Sequence, residues 1–593
     1  MAWVGTEPSP YLAAPVILVV AALLVTTGAR GDQAGVNAAT AAEDAAAIGG
    51  CGEKETKEAM TGRHGMAAIP TPEQVEWQDM ELGMFIHFGV ETWQGVEEDE
   101  LSTSLDCINP TALDTDQWVS VAEQLGAKYI VFVAKHSGGF SMWQTDTTDY
   151  GIKNTPWRSG KGDVLGDLSA SCRARGMKLG VYLCPTDRHL GATVGGRCAD
   201  SEAQARYDAI YRQQLTEVLT RYGEISEVWF DGSTVTPVGD ILAARAPRAM
   251  VFQGKHATIR WVGNEDGFAP YPGWNAVSEA AAKSGVSTAA QGDPEGEVWL
   301  PLEVDTTMRD HYWMWHPDTE HTLKPLDHLM QMYYRSVGHG AVLLLNSNPD
   351  TNGRIPEADA KRAAEFGAEI RRRFGQSIAE GRGEGGEIEL PLDAPARVDH
   401  VITMEDIALG ERIREYVIEG HSDGRWSELA RGTAVGHKRI DYFAPRTVSR
   451  LRFRALRAVG PPALRRFAAY QVGITPQIDR DAVVIHDPYL VGRWGEEVGS
   501  SWTTLDFDIT DICSQAGQYE VEMRLRDEAA PIEVSAVRLL HHGLEAPDFT
   551  LPTPDPLRWH LNVTGITAEL ALRVVLRRRD EGTAGGEVII RPR

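Results

Sequence analysis

A C-x2-C cysteine pair occurs nowhere in this chain, and several other familiar signatures are missing with it. Its six cysteines stand at positions 51, 107, 172, 184, 198 and 513 of 593 residues. Without paired spacing a structural zinc site is disfavoured, and six thiols in so long a chain are too few for a disulfide scaffold. Cys172, Cys184 and Cys198 either pair among themselves or stand as separate core thiols. No G-x-G-x-x-G follows the first apolar run, and no phosphate-cradling Walker motif occurs, which argues against dinucleotide and nucleoside triphosphate sites. That first run carries a single His87 where barrel metallohydrolases have His-x-His. No metal and no cofactor is therefore expected; were a metal held at all, His87, His136 and Asp231 would be the residues converging on it. Positive charge is also scarce: 58 Lys and Arg stand against 84 Asp and Glu, for a net charge of −26. Nucleic acid and anionic membrane surfaces would be repelled, whereas a neutral substrate such as a sugar is compatible.

What is present suits a multidomain globular protein. Hydrophobic residues make up 42% and charged residues 24%, ordinary values, and the length suits two to four domains. The apolar run Tyr11–Ala29 reads as a secretory signal or an uncleaved N-terminal membrane anchor, although no Lys or Arg precedes it and Glu7 does. Residues 1–66 are read as this targeting segment plus a linker. Export is the expectation: a secreted, periplasmic or lysosome-like location, with anchoring as the variant.

From Pro70 onward short apolar runs alternate with helix-like segments. Eight runs are countable: Met84–Gly89, Tyr129–His136, Lys178–Pro185, Ile225–Gly232, Met250–Lys255, Ile259–Glu265, Val298–Asp305 and Ala341–Pro349. Most are unbroken rather than alternating, as parallel strands covered on both faces require. Eight such units over 67–375 predict an α/β fold, a (β/α)8 TIM-like barrel. Each run ends in polar residues: His87, Lys135 and His136, Asp187, Asp231, Lys255 and His256, Asn264 and Glu265, Glu303 and Asp305, Asn346. In such barrels the C-terminal strand ends carry the active site. Beyond Gln376 alternating stretches predict two β-sandwiches, 376–478 and 479–593. Asn562, in Asn-Val-Thr, matches a glycosylation acceptor, a triplet that chance also supplies.

Carboxylates on separate strand ends point to glycoside hydrolysis, which needs two acids flanking the scissile bond. Asp231 and Glu265 could face each other, and Glu303 is a rival for the second role. Trp93, Trp143, Trp229, Trp261, Trp274 and Trp299 offer rings for sugar stacking, about half of them as core residues instead.

Several segments, in order, resemble the retaining α-L-fucosidases of glycoside hydrolase family 29. They are "LGMFIHFGVETW", "GAKYIVFVAKHSGGFSMWQTDTTDYGIKNTPWRSGKGDVLGDLSASCRARGMKLGVYLCPTD", "YGEISEVWFDG", "RWVGNEDG", "LPLEVDTTMRDHYWMWHP" and "YYRSVGHGAVLLLNSNPDTNGRI". The likeness runs from about Glu76 to Glu365 and weakly on to about Val472. It implies an exo-acting enzyme that removes terminal α-linked L-fucose from oligosaccharides or glycoproteins. Asp231 would be the nucleophile and Glu265 the acid/base, with Glu303 the rival. His87, His136, Trp143, Trp229, Arg260 and Glu303 would contact the sugar. The family often has two histidines and an aspartate at the second strand end; here His136-Ser137-Gly138-Gly139 stands instead. That variant resembles the subgroup acting on α-1,3/1,4-linked fucose. The 376–478 region resembles a galactose-binding-like sandwich. A catalytically inactive sugar binder, or a barrel glycosidase for another sugar, are the alternatives, and the oligomeric state is not legible.

Overall fold

The structure is a computed structural model that describes residues 68–473 except 284–290 and 311. It also describes 489–592 except 495–497, 510–516, 526–529, 542–543, 546–549, 553–556, 564–569 and 581–584. The targeting segment and linker expected over 1–66 lie outside the described residues.

Eight parallel strands form one sheet: β1 (Leu82–Ile86), β2 (Tyr129–Lys135), β3 (Lys178–Leu183), β4 (Ile225–Trp229), β5 (Met250–Phe252), β6 (Arg260–Trp261), β7 (Leu302–Thr307) and β8 (Val342–Asn346). Their order is β5-β4-β3-β2-β1-β8-β7-β6. A single parallel bridge, Phe252 to Ile259, joins the two edge strands and closes the ring. α1 (Pro72–Met80) closes the floor of the barrel, sending Trp77 inward to Glu227, and helices on the outside include α2 (Thr115–Leu125), α3 (Val164–Arg175) and α4 (Ser201–Arg221). Each begins on a residue whose side chain accepts an otherwise unpaired N–H: Thr71, Asp114, Asp163 and Asp200.

Two cores result from the period of two along the strands. Phe85, Tyr129, Val131, Tyr182, Trp229, Phe252 and Leu344 fill the barrel interior. Met84, Ile130, Phe132, Val181, Val228 and Leu343 face the helices. Inside, the Trp229 and Phe252 rings stack with centroids 3.4 Å apart and planes 6° off parallel.

Beyond the barrel, six antiparallel strands between Ala379 and Tyr470 enclose a second core containing Leu390, Val401, Ile418, Phe453 and Phe467. Register shifts at Pro391/Ala396 and Val398/His400 bend the long strand Glu387–Glu405, giving a sandwich-like unit. Ile402, Met404, Ile440, Ala468 and Tyr470 from this unit belong to the barrel's outer core. A five-stranded and a four-stranded antiparallel sheet follow, from Tyr489 to Pro592, around Trp494, Val521, Leu572 and Ile590. Asn562 lies on the strand Arg558–Val563.

Cys107, Cys172, Cys184 and Cys198 are all free thiols, so no pairing joins the middle three. Gly420–Gly424 spells G-x-S-x-G, the spacing of a hydrolase nucleophile elbow. It is the tip of a hairpin between Ile413–Ser422 and Arg425–Gly432, not the strand-to-helix turn that an elbow requires.

Candidate active site

Parity along the strands decides which polar ends meet. On β4 Glu227 and Trp229 point into the barrel and Val228 and Phe230 point out, which turns Asp231 inward just past the strand. Gly232, at φ 72°, then takes a left-handed conformation that only glycine adopts without cost. The Asp-Gly pair is thus a turn that also delivers a carboxylate to the mouth. On β2 a bulge does similar work. Val133 pairs with Tyr182, but Lys135 pairs with Leu183, so Ala134 is an extra residue. The skipped step sends Lys135 outward to a buried ion pair with Asp187, 2.9 Å away. His136 is thereby sent inward. Gly139 follows at φ 99°, packed so closely on the Asp187 carboxylate that a side chain would collide.

The mouth gathers His87, His136, Tyr182, Asp231, Trp261, Glu265, Asp305, Trp313 and Asn346. Tyr182 donates its hydroxyl to Asp231 Oδ2 at 2.9 Å and stacks on His136 with centroids 5.8 Å apart. Trp313 donates its indole N–H to Glu265 Oε2 at 2.8 Å. Trp313 is itself fixed by neighbours on the same part of the rim. Glu97 accepts its backbone N–H at 2.9 Å and binds His316 Nε2 at 2.5 Å, and Asn346 donates to its carbonyl at 3.0 Å. Thr306 holds the Glu265 carbonyl at 2.7 Å, and Trp261 donates to Asp305 at 2.6 Å.

Electrostatics separate these groups. Burial raises the Asp231 carboxyl above its ordinary value, and the Tyr182 hydrogen bond and the His136 charge pull it back down. Glu265 goes further, up to about 7, through burial against one indole donor, with the charges of Asp231, Asp266 and Glu97 adding to the rise. His87 is held down at about 3 by burial and by the neighbouring His136 charge, despite its 2.8 Å contact with Asn346. His136 moves the other way, up to about 9. Burial alone would lower it, but the hydrogen bond and charge of Glu91, with Glu98 and Asp231 adding to them, win.

Other expected site residues lie elsewhere. Trp143 is 0% exposed in the outer core and donates to Glu217 of α4 at 2.9 Å. It is a packing residue between barrel and helix, not a wall of the mouth. Arg260 pairs in register with outward-facing Leu302 and is 1% exposed. Its guanidinium donates to the carbonyls of Leu300, Trp274 and Asn275, so it braces the loop between β6 and β7 rather than the sugar pocket. Trp229 lies one layer below the mouth, its N–H shared between Glu227 at 2.7 Å and Glu303 at 2.9 Å. Glu303 is 0% exposed, and Tyr129 donates to its other oxygen at 3.0 Å. Both oxygens are thus occupied within the barrel interior. Trp274 packs under Arg414 of the first sandwich, and Trp299 donates to Gln78 of α1. Trp93 packs on Phe88. Tyr182, Trp313 and Glu97 were not foreseen, and Asp305 was marked only as a polar strand end. Strand parity alone would have found Tyr182 and turned Asp305 toward the mouth, each an even number of residues from an inward neighbour.

The family model for α-L-fucosidase matches residues 63–373. The chain belongs to the α-L-fucosidase family. It is similar to α-L-fucosidase 1 of Arabidopsis thaliana, 31% identical over 421 residues, covering 63% of this chain and 81% of the relative. Among solved structures it resembles a Bacteroides thetaiotaomicron protein assigned to the α-L-fucosidases, at 34% identity and TM-score 0.65, covering 68% of this chain and 99% of that one. A glycoside hydrolase family 29 member from a rumen bacterium is 26% identical, with TM-score 0.64, and covers 89% of this chain and 100% of its own. As an α-L-fucosidase family member the chain is a glycoside hydrolase with the family's barrel fold.

Proposed function

We propose that the chain is an exo-acting, retaining α-L-fucosidase in which Asp231 is the nucleophile and Glu265 the acid/base. The observation that carries this is the pair itself: two partly exposed carboxyls on the rims of β4 and β6, each raised by burial, with the Asp231 charge further raising Glu265. Asp231 attacks the anomeric carbon while Glu265 gives its proton to the leaving oxygen. Water, deprotonated by Glu265, then cleaves the glycosyl ester. Glu303 is a poor acid/base because its oxygens are sealed under Trp229 and Tyr129; it belongs to the scaffold. His87, neutral, gives its Nδ1 proton to Asn346 and keeps Nε2 as an acceptor. His136, charged, keeps an N–H donor. Together they suit two neighbouring sugar hydroxyls. The likeness of the second-strand segment favours α-1,3/1,4-linked fucose on branched oligosaccharides or glycoproteins.

Asp231→Gly is expected to lose hydrolysis of an aryl α-L-fucoside and to regain turnover with azide, yielding the β-fucosyl azide. A variant retaining near wild-type hydrolysis overturns the assignment. For linkage, Lewis-type oligosaccharides are expected to be cleaved and 2′-fucosyllactose spared; rapid cleavage of 2′-fucosyllactose rejects that preference.

A further inference from the structure

Glu91 follows β1 and is 1% exposed. Its Oε1 lies 3.2 Å from His136 Nδ1, while Oε2 is buried without a hydrogen-bond partner among the described residues. A buried carboxylate with one oxygen unsatisfied costs stability, since it forgoes water on both oxygens and recovers a bond on one. Packing alone does not account for it, and its single hydrogen-bond partner among the described residues belongs to the mouth. His136 in turn stacks on Tyr182, and Tyr182 donates to Asp231. We propose that Glu91 is a positioning residue, which orients His136 and fixes it both as an N–H donor toward the sugar and as a counter-charge to Asp231. This rests on the reading of Asp231 as nucleophile.

Every charged neighbour of His136 bears on the balance. From the segment after β1 come Glu91 and Glu98, the latter accepting from Ser137 at 2.5 Å and paired with Arg188 at 3.0 Å. His87, just after β1, faces it at 6.0 Å between centroids, Tyr182 faces it from β3, and Asp231 from beyond β4. Glu98 is partly neutralised by Arg188, and His87 adds no charge. Glu91 is therefore the anion that holds the imidazolium. Removing its charge lowers the pH at which His136 becomes neutral. Asp231 then loses a cation that pulls its carboxyl down, while burial and Glu98 still push it upward, so it requires a higher pH to ionise.

The test uses the full chain and Glu91→Gln, which keeps the shape and removes the charge. Carbon-13-labelled histidine is titrated by NMR, with the His136 signal assigned by its absence from His136→Phe. In the wild type His136 is expected to titrate near pH 9; in Glu91→Gln the midpoint should fall by about one unit or more. With an aryl α-L-fucoside, the acidic limb of kcat/KM should move to higher pH in Glu91→Gln, with the melting temperature unchanged or raised. A purely structural Glu91 would instead lower the melting temperature and leave both titrations alone, which overturns the proposal. A wild-type His136 titrating at or below the ordinary histidine value overturns it without any variant. If the wild type cleaves no α-L-fucoside, the functional reading fails, while the NMR titration still judges the Glu91–His136 couple.

Discussion

Asp231 and Glu265 carry the same chemical group in different company. Asp231 receives a phenol hydrogen bond and faces an imidazolium, whereas Glu265 receives one indole N–H and is surrounded by acids. Environments that push two carboxyls apart assign one as anion and the other as proton donor. Glu265 must be protonated to act on the leaving group, and its proton leaves as pH rises through about 7. On a fucoside with a poor leaving group, kcat/KM should therefore fall above about that pH. Glu265→Gln should lower kcat by roughly 10²–10⁴-fold and abolish this alkaline limb. A limb that persists in the variant assigns it to another group. At this scale the sequence was legible where chemistry is unusual and illegible where direction matters. His87, His136, Asp231 and Glu265 announce themselves as polar ends of apolar runs. Arg260 and Trp143, whose sugar-contact role came only from the family resemblance, face outward instead, one by strand parity and the other from a loop packed on α4. The Ala134 bulge, which reverses Lys135 and His136, has no signal in residue type at all.

The elements add a layer that the chemistry does not touch. Glu227 of β4 and Glu303 of β7 meet beneath the mouth, sharing the Trp229 N–H and flanked by Trp77 and Tyr129. Burial raises both carboxyls, and mutual repulsion raises Glu303 further. The folded state thus holds protons that the unfolded chain has released, so their contribution to stability declines as pH rises above the ordinary glutamate value. Glu303→Gln, which keeps an acceptor and adds a donor, should lessen this decline. Its melting temperature should drop less than the wild type's between pH 5 and 7, as followed by thermal denaturation. An equal drop in both proteins removes the pair from the account. All eight strands were visible as apolar runs. Their unequal lengths were not, because β5 and β6 keep only 3 and 2 residues of ladder within runs that look as apolar as the rest.

For the whole molecule, the first sandwich grips the loop that follows β6. Glu411 accepts the Asn275 N–H at 2.9 Å and its Nδ2 at 2.7 Å, and Tyr271 bonds the Ala434 carbonyl at 3.1 Å. On the barrel floor Asp79 pairs with His437 and Arg465, and Glu81 with Lys438. Glu411→Ala should strand two buried donors, each costing about 1–3 kcal/mol. It should lower both the denaturant midpoint and kcat on aryl fucosides, since Glu265 stands in the same connection. Loss of stability with kcat intact would confine the sandwich to a structural part. The change of pattern near residue 376 marked this unit in the sequence, but its docking did not. Contacts such as Glu411 with Asn275 join residues 136 apart, and no periodicity within either segment encodes them.

The ring of strands is shut by one bridge, Phe252 to Ile259, and the two acids stand on opposite sides of that seam, Asp231 beyond β4 and Glu265 beyond β6. Whatever widens the seam also widens the gap a sugar must span between attack and proton delivery. As in a barrel of staves, the loosest one sits where the spacing matters most, and the hoop around it is supplied by a neighbouring domain.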